Sequence, residues 1–134
     1  MMKQAIQTEN APEAIGTYSQ AVRVDKTVYL SGQIPLEPST MTLCSEAIDA
    51  QITQVFDNLS AVCVAAGGSL NDVVKLTVYL KDLMHMPRVN QAMARYFSEP
   101  YPARTAFGVT ALPRGARLEI DAIMVDSVDS AEML

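Results

Sequence analysis

The chain reads as an α+β sandwich, a mixed six-stranded sheet with two helices on one face. Three observations predict this. Two stretches repeat apolar residues at three- and four-residue spacing, the period of a helix packed along one side. Other stretches carry the alternation and β-branched composition of half-buried strands. Their order is β-β-α-β-α-β-β, with a further strand at 3–7, so a single sheet can collect every strand.

The elements follow in chain order. QAVRV (20–24) and TVYLSGQI (27–34) flank Asp25-Lys26, the pattern of a hairpin. PLEPSTMTLCS (35–45), with its two prolines and its hydroxyl residues, reads as a loop. From Glu46 to Ala66 one stripe joins Ile48, Ile52, Val55, Phe56, Leu59, Val62 and Cys63. Ser45 can cap its start, and Gly67-Gly68 can end it in the left-handed conformation. In VVKLTVYLK (73–81), Val74, Leu76, Val78 and Leu80 alternate with more polar neighbours. A second helix over 86–98 gathers Met86, Val89, Met93, Tyr96 and Phe97 on one face, with Pro87 in its first turn. Strands at 103–110 and 117–126 are joined by ALPRGA, and the polar, acidic tail 127–134 is expected to fray. Two helices cover only one sheet face. The other carries Tyr29, Thr77 and Tyr79, a semi-apolar surface that predicts oligomerisation.

Composition narrows the function. The 134 residues fit one domain, and 49% hydrophobic against 19% charged is a folded balance. A net charge of −5 argues against non-specific nucleic-acid binding. No apolar run approaches a membrane span and no secretory h-region opens the chain, which predicts a cytoplasmic protein. Cys44 and Cys63 form no framework, and Cys63 sits on the helix stripe as a small hydrophobe. His85 is the one histidine, expected in a loop or at a helix entry, so a metal centre or a histidine-based triad lacks its parts.

The chemistry concentrates in YPARTAFGV (101–109), where Arg104 interrupts what reads as a buried strand. Strand parity puts Arg104, Ala106 and Gly108 on one face and Thr105, Phe107 and Val109 on the other. In the last strand Leu118, Ile120, Ala122 and Met124 form the apolar face, with Glu119 and Asp121 opposite. Arg104 and Glu119 are thus expected together on the face without helices. Either they pair as an intrasheet ion pair, of little net stability, or Arg104 binds a small carboxylate bidentately while Glu119 works on water.

Four motifs then point to a family. NAPEAIGTYSQAV (10–22), YLSGQIP (29–35), YPARTAFGV (101–109) and LEIDAI (118–123) resemble the RidA/YjgF/UK114 family, in order and at family spacing over residues 3–126. FDNL (56–59) and VYLKDL (78–83) match as well. The resemblance implies a chorismate-mutase-like fold assembled as a homotrimer around a central barrel, with active sites between subunits. It implies hydrolysis of 2-imino and enamine acids to 2-keto acids and ammonia, without a cofactor. By the same resemblance Arg104 holds the substrate carboxylate and Glu119 orients or activates water. Tyr18 lines the cleft, Ser31, Gly32 and the Ala106 backbone contact ligand or water, and Asn90 is a further cleft residue. Two positions depart from the family. Ala106 stands where many members carry cysteine, which puts any thiol-dependent chaperone role in doubt. Thr17 replaces a proline and constrains Tyr18 less. A sensor for small carboxylates, or an interaction protein of the same fold, is the rival reading, and the preferred imine is open.

Overall fold

A computed structural model describes residues 2–126; the acidic tail 127–134 lies outside the described residues. The strands are β1 (Gln4–Ile6), β2 (Ala21–Val24), β3 (Thr27–Gln33), β4 (Val73–Leu80), β5 (Ala103–Gly108) and β6 (Leu118–Val125). The helices are α1 (Ile48–Ala65) and α2 (Met86–Tyr96). All six strands join one sheet in the order β1-β2-β3-β6-β4-β5. Its neighbours are antiparallel except β4 and β5, which run parallel because α2 carries the chain back between them.

Local chemistry explains the boundaries. The β2–β3 hairpin turns at Asp25, whose φ of 53° lies in the left-handed region that short polar residues tolerate. Helix α1 begins two residues later than its sequence signal. Ala47 holds the N-cap position, and the Ser45 hydroxyl instead accepts the Ala47 N–H at 3.0 Å, just outside the helix. The predicted stop is found: Gly67 has φ 91°, and the Gly68 N–H returns to the Cys63 carbonyl at 2.9 Å. Pro87 sits in the first turn of α2, and His85 leads into that helix from a 3-10 turn at Leu83–His85.

The core lies between the sheet and the helices. Leu76, Val78 and Leu80 of β4 and Leu118, Ile120 and Met124 of β6 are fully buried, as are Val55, Phe56, Leu59 and Val62 of α1. The Phe56 ring packs on Tyr96 at 5.1 Å and edge-on to Phe97 at 5.8 Å, which ties the helices together. Gln51 and Asn58, two polar residues absent from the predicted stripe, are also buried in α1. Each spends its amide on loop backbone, Asn58 donating to the Ile34 and Leu36 carbonyls at 3.2 and 3.0 Å. The opposite face is open. Tyr29 and Phe107 are each 51% exposed there, and Phe107 stacks on Tyr79 with centroids 6.1 Å apart.

Two expectations about YPARTAFGV fail. β5 is an edge strand and largely exposed, not a buried one. And its register pairs Arg104 with Leu76, Ala106 with Val78 and Gly108 with Leu80, all residues of the helix-covered face. Residues paired across a sheet point the same way, so Arg104 faces α2. Glu119 pairs with Tyr79 and faces the open side. The two charged residues lie on opposite faces of one sheet, and the intrasheet ion pair is ruled out within the chain.

Candidate functional site: two cavities on opposite faces of the sheet

Glu119 owes its setting to a bulge in β3. Leu30 pairs with Ala122 but Gln33 pairs with Ile120, so three steps on β3 match two on β6. The extra residue falls at Ser31-Gly32 and breaks the alternation, turning Gln33 into the core. It brings the bare Cα of Gly32 against the carboxylate: a Cβ there would stand 2.1 Å from Glu119 Oε2. Ser31 is tied to the preceding loop, its Oγ donating to the Ser19 carbonyl at 2.6 Å and its N–H to the Gln20 carbonyl at 3.0 Å. Gln20, buried, ties that loop further, accepting the Thr8 N–H at 2.7 Å and donating to the Pro12 carbonyl at 2.8 Å. Tyr18 emerges from it half exposed.

Tyr18, Ser31, Gly32 and Glu119 therefore line one cavity of about 460 Å³, within the ~300–1,000 Å³ range of small-molecule sites. Partial burial pushes the Glu119 carboxyl above its ordinary value, and the negative Asp121 beside it on the same face pushes it further. No ion-pair partner of Glu119 is found among the described residues. Sequence reasoning did not assign the rest of the lining to the site, Ile34, Leu36, Met41, Pro113 and Arg114 among it. The LPRGA turn carried a signal for Arg114 as a lone cation in a tight turn. Nothing in 35–45 singled out Met41.

Arg104 lies in a second cavity, of about 420 Å³, with Asn90, Met93, Ala94, Tyr101 and Pro102. Its Nη1 donates to the side-chain Oδ1 of Asn90 and touches the Met93 sulfur at 3.5 Å. Among the described residues these partners are neutral, so the guanidinium keeps its charge and most of its donors for an anion. Asn90, expected as a further cleft residue, lines this cavity and bonds Arg104. Ala106 follows Arg104 on the same face, packed against the core. Its backbone is near, though it does not line the cavity. Among the described residues no group of three or more His, Cys, Asp or Glu could hold a metal ion. Cys63 is buried in the core with its thiol pushed up to about 12, the inert behaviour of a core residue.

Comparison with known proteins gives a consistent picture. Residues 8–126 match the family model described as Endoribonuclease L-PSP. The chain is 49% identical over 127 residues to a Myxococcus xanthus protein named DfrA, covering 93% of this chain and 97% of that one. It is 46% identical over 125 residues to a Mus musculus protein named 2-iminobutanoate/2-iminopropanoate deaminase, covering 93% of each. The crystal structure of RidA from an Antarctic Psychrobacter superposes with a TM-score of 0.88 at 54% identity, over 91% of this chain and 98% of that one.

Proposed function

The chain belongs to the endoribonuclease L-PSP family, that of RidA and YjgF, and from that premise we propose that it is an imine deaminase. It hydrolyses 2-imino acids, R–C(=NH2+)–COO− + H2O → R–C(=O)–COO− + NH4+. Relatives named 2-iminobutanoate/2-iminopropanoate deaminase support the activity. A net charge of −5 gives no footing for the RNA cleavage that the family description names.

In this reading Arg104 grips the substrate carboxylate with two parallel hydrogen bonds. The adjacent carbon, electrophilic once its nitrogen is protonated, is then held for attack. Glu119 takes a proton from the incoming water and passes it to the departing nitrogen. Its raised carboxyl makes it a better base than an exposed glutamate. Orientation and one proton relay are enough for a substrate that water already attacks.

The observation that carries the mechanism is the register. Arg104 and Glu119 face opposite sides of their own sheet, yet one substrate carbon must lie within reach of both. They can meet only across two copies of the chain, Arg104 of one opposite Glu119 of the next. The uncovered face with Tyr29, Tyr79 and Phe107 is suited to that assembly, and we take it to be a homotrimer with its sites between subunits.

Mixing tests this directly. Arg104→Ala and Glu119→Gln are each expected to lose at least about a hundredfold in activity. If the two are unfolded and refolded together in equal amounts, about a quarter of the intersubunit sites in a cyclic assembly regain both groups, and activity returns in that proportion. No return would mean that the site lies within one chain. Arg114, which lines the Glu119 cavity in the same chain, is the alternative carboxylate ligand. In that case Arg114→Ala, and not Arg104→Ala, would abolish turnover.

A further inference from the structure

The Glu119 cavity is larger than the reacting atoms need, and the chain beyond the bulge gives it an apolar wall of Ile34, Leu36, Met41 and Pro113. That wall is built with strain. Met41 (φ 58°) and Arg114 (φ 60°) both adopt the left-handed conformation that residues other than glycine, asparagine and aspartate rarely take. They are bonded to each other, Arg114 Nη1 donating to the Met41 carbonyl at 3.0 Å. The Met41 loop is pinned at its base as well. The Met41 N–H donates to the Glu37 carbonyl at 2.8 Å, the Glu37 N–H to the Thr42 carbonyl at 2.9 Å, and Leu36 bridges to Leu43. Two strained residues clamped together over a cavity are a place where structure has been kept for function.

The chemistry says what the wall meets. The trigonal carbon of a 2-imino acid carries a carboxylate, the imine nitrogen and a side chain. On the deaminase reading above, the carboxylate goes to Arg104 of a second copy and the carbon to Glu119. The third substituent is left for the remaining wall of the cavity. We propose that Ile34, Leu36, Met41 and Pro113 form the side-chain subsite, with Met41 as the specificity-determining residue and Arg114 as the residue that positions it. The preferred substrates are then imino acids with apolar side chains longer than methyl or ethyl, such as the imines of leucine and methionine.

The test generates the imines of alanine, 2-aminobutyrate, leucine and methionine in place with a D-amino-acid oxidase and follows their hydrolysis against semicarbazide trapping. The wild type is expected to favour the leucine imine over the alanine imine by at least about tenfold in kcat/KM, since a single methylene in an apolar pocket is worth about that much. Met41→Gly suits the left-handed backbone, so it keeps the fold while removing the wall. It is expected to bring that ratio down at least fivefold. Arg114→Gly, which also suits its φ, should lower the ratio in the same direction by releasing Met41. A wild type without preference, or a ratio that neither variant moves, overturns the subsite and leaves the deaminase standing. A wild type that hydrolyses none of the four imines overturns both.

Discussion

Glu119 and Gly32 depend on each other. Any side chain at position 32 occupies the place of the Glu119 carboxylate, and the carboxylate, as the free end of a flexible chain, is what must move. Gly32→Ala is therefore expected to lower kcat at least tenfold by misplacing the base, while thermal melting moves by only a few degrees. Equal loss of folding and activity would show that the glycine serves the backbone instead. The raised Glu119 carboxyl also sets a pH dependence. As a base it must be ionised, so the acid limb of kcat/KM falls above the ordinary carboxyl value of 4.5. For stability the sign runs the other way. A carboxyl raised in the folded state favours folding below its unfolded value, and that contribution fades as pH rises through the folded one. Glu119→Gln should thus be as stable as the wild type or more so at pH 7.5, with the gap closing toward pH 4.5 in urea titrations. That Tyr18, Ser31 and Gly32 line the Glu119 cavity was legible only through family motifs. That a glycine was needed at 32 depended on a carboxylate 87 residues away in sequence, and a linear reading carries no distance between them.

At the scale of elements, α1 shows how far periodicity goes. Its whole predicted stripe is buried, because an amphipathic helix has one low-energy way to lie on a sheet. Gln51 and Asn58 broke the pattern, since their amides stand in for water at carbonyls of the adjoining loops, the buried Leu36 carbonyl among them. Asn58→Ala leaves the Ile34 and Leu36 carbonyls without that donor. It is expected to cost about 2–3 kcal/mol in urea unfolding, and to blunt side-chain selectivity, because those two residues line the cavity. Phe56→Ala, between α1 and α2, is expected to cost about 3–5 kcal/mol with no comparable change in imine preference. The β3 bulge was not legible. SGQ stood out as a motif, but alternation alone puts Gln33 on the wrong face, and only pairing with β6 reveals the extra residue.

At the scale of the molecule, the helices protect one face of the sheet and the other shows aromatic rings to the outside. A surface of that kind is costly in water unless covered, and the proposed sharing of one substrate by Arg104 and Glu119 calls for a second copy as well. Phe107→Glu puts a charge into that face without touching the core. It should reduce the assembly to smaller species in size-exclusion light scattering and abolish turnover with it, while the far-UV spectrum of the chain is kept. Activity in a stable monomer would refute the intersubunit site.

The sequence by itself determined the elements, their order, the α+β class and the family, because helix and strand periods and short motifs are local properties of the chain. Within β5 it also sorted Arg104, Ala106 and Gly108 correctly onto one face. Only the tertiary structure decided which face that was. Alternation fixes side chains relative to their own strand, whereas the absolute side depends on pairing with β4, a long-range choice made by packing. That one register moves Arg104 away from Glu119 and leaves the two in separate cavities on opposite faces of the sheet.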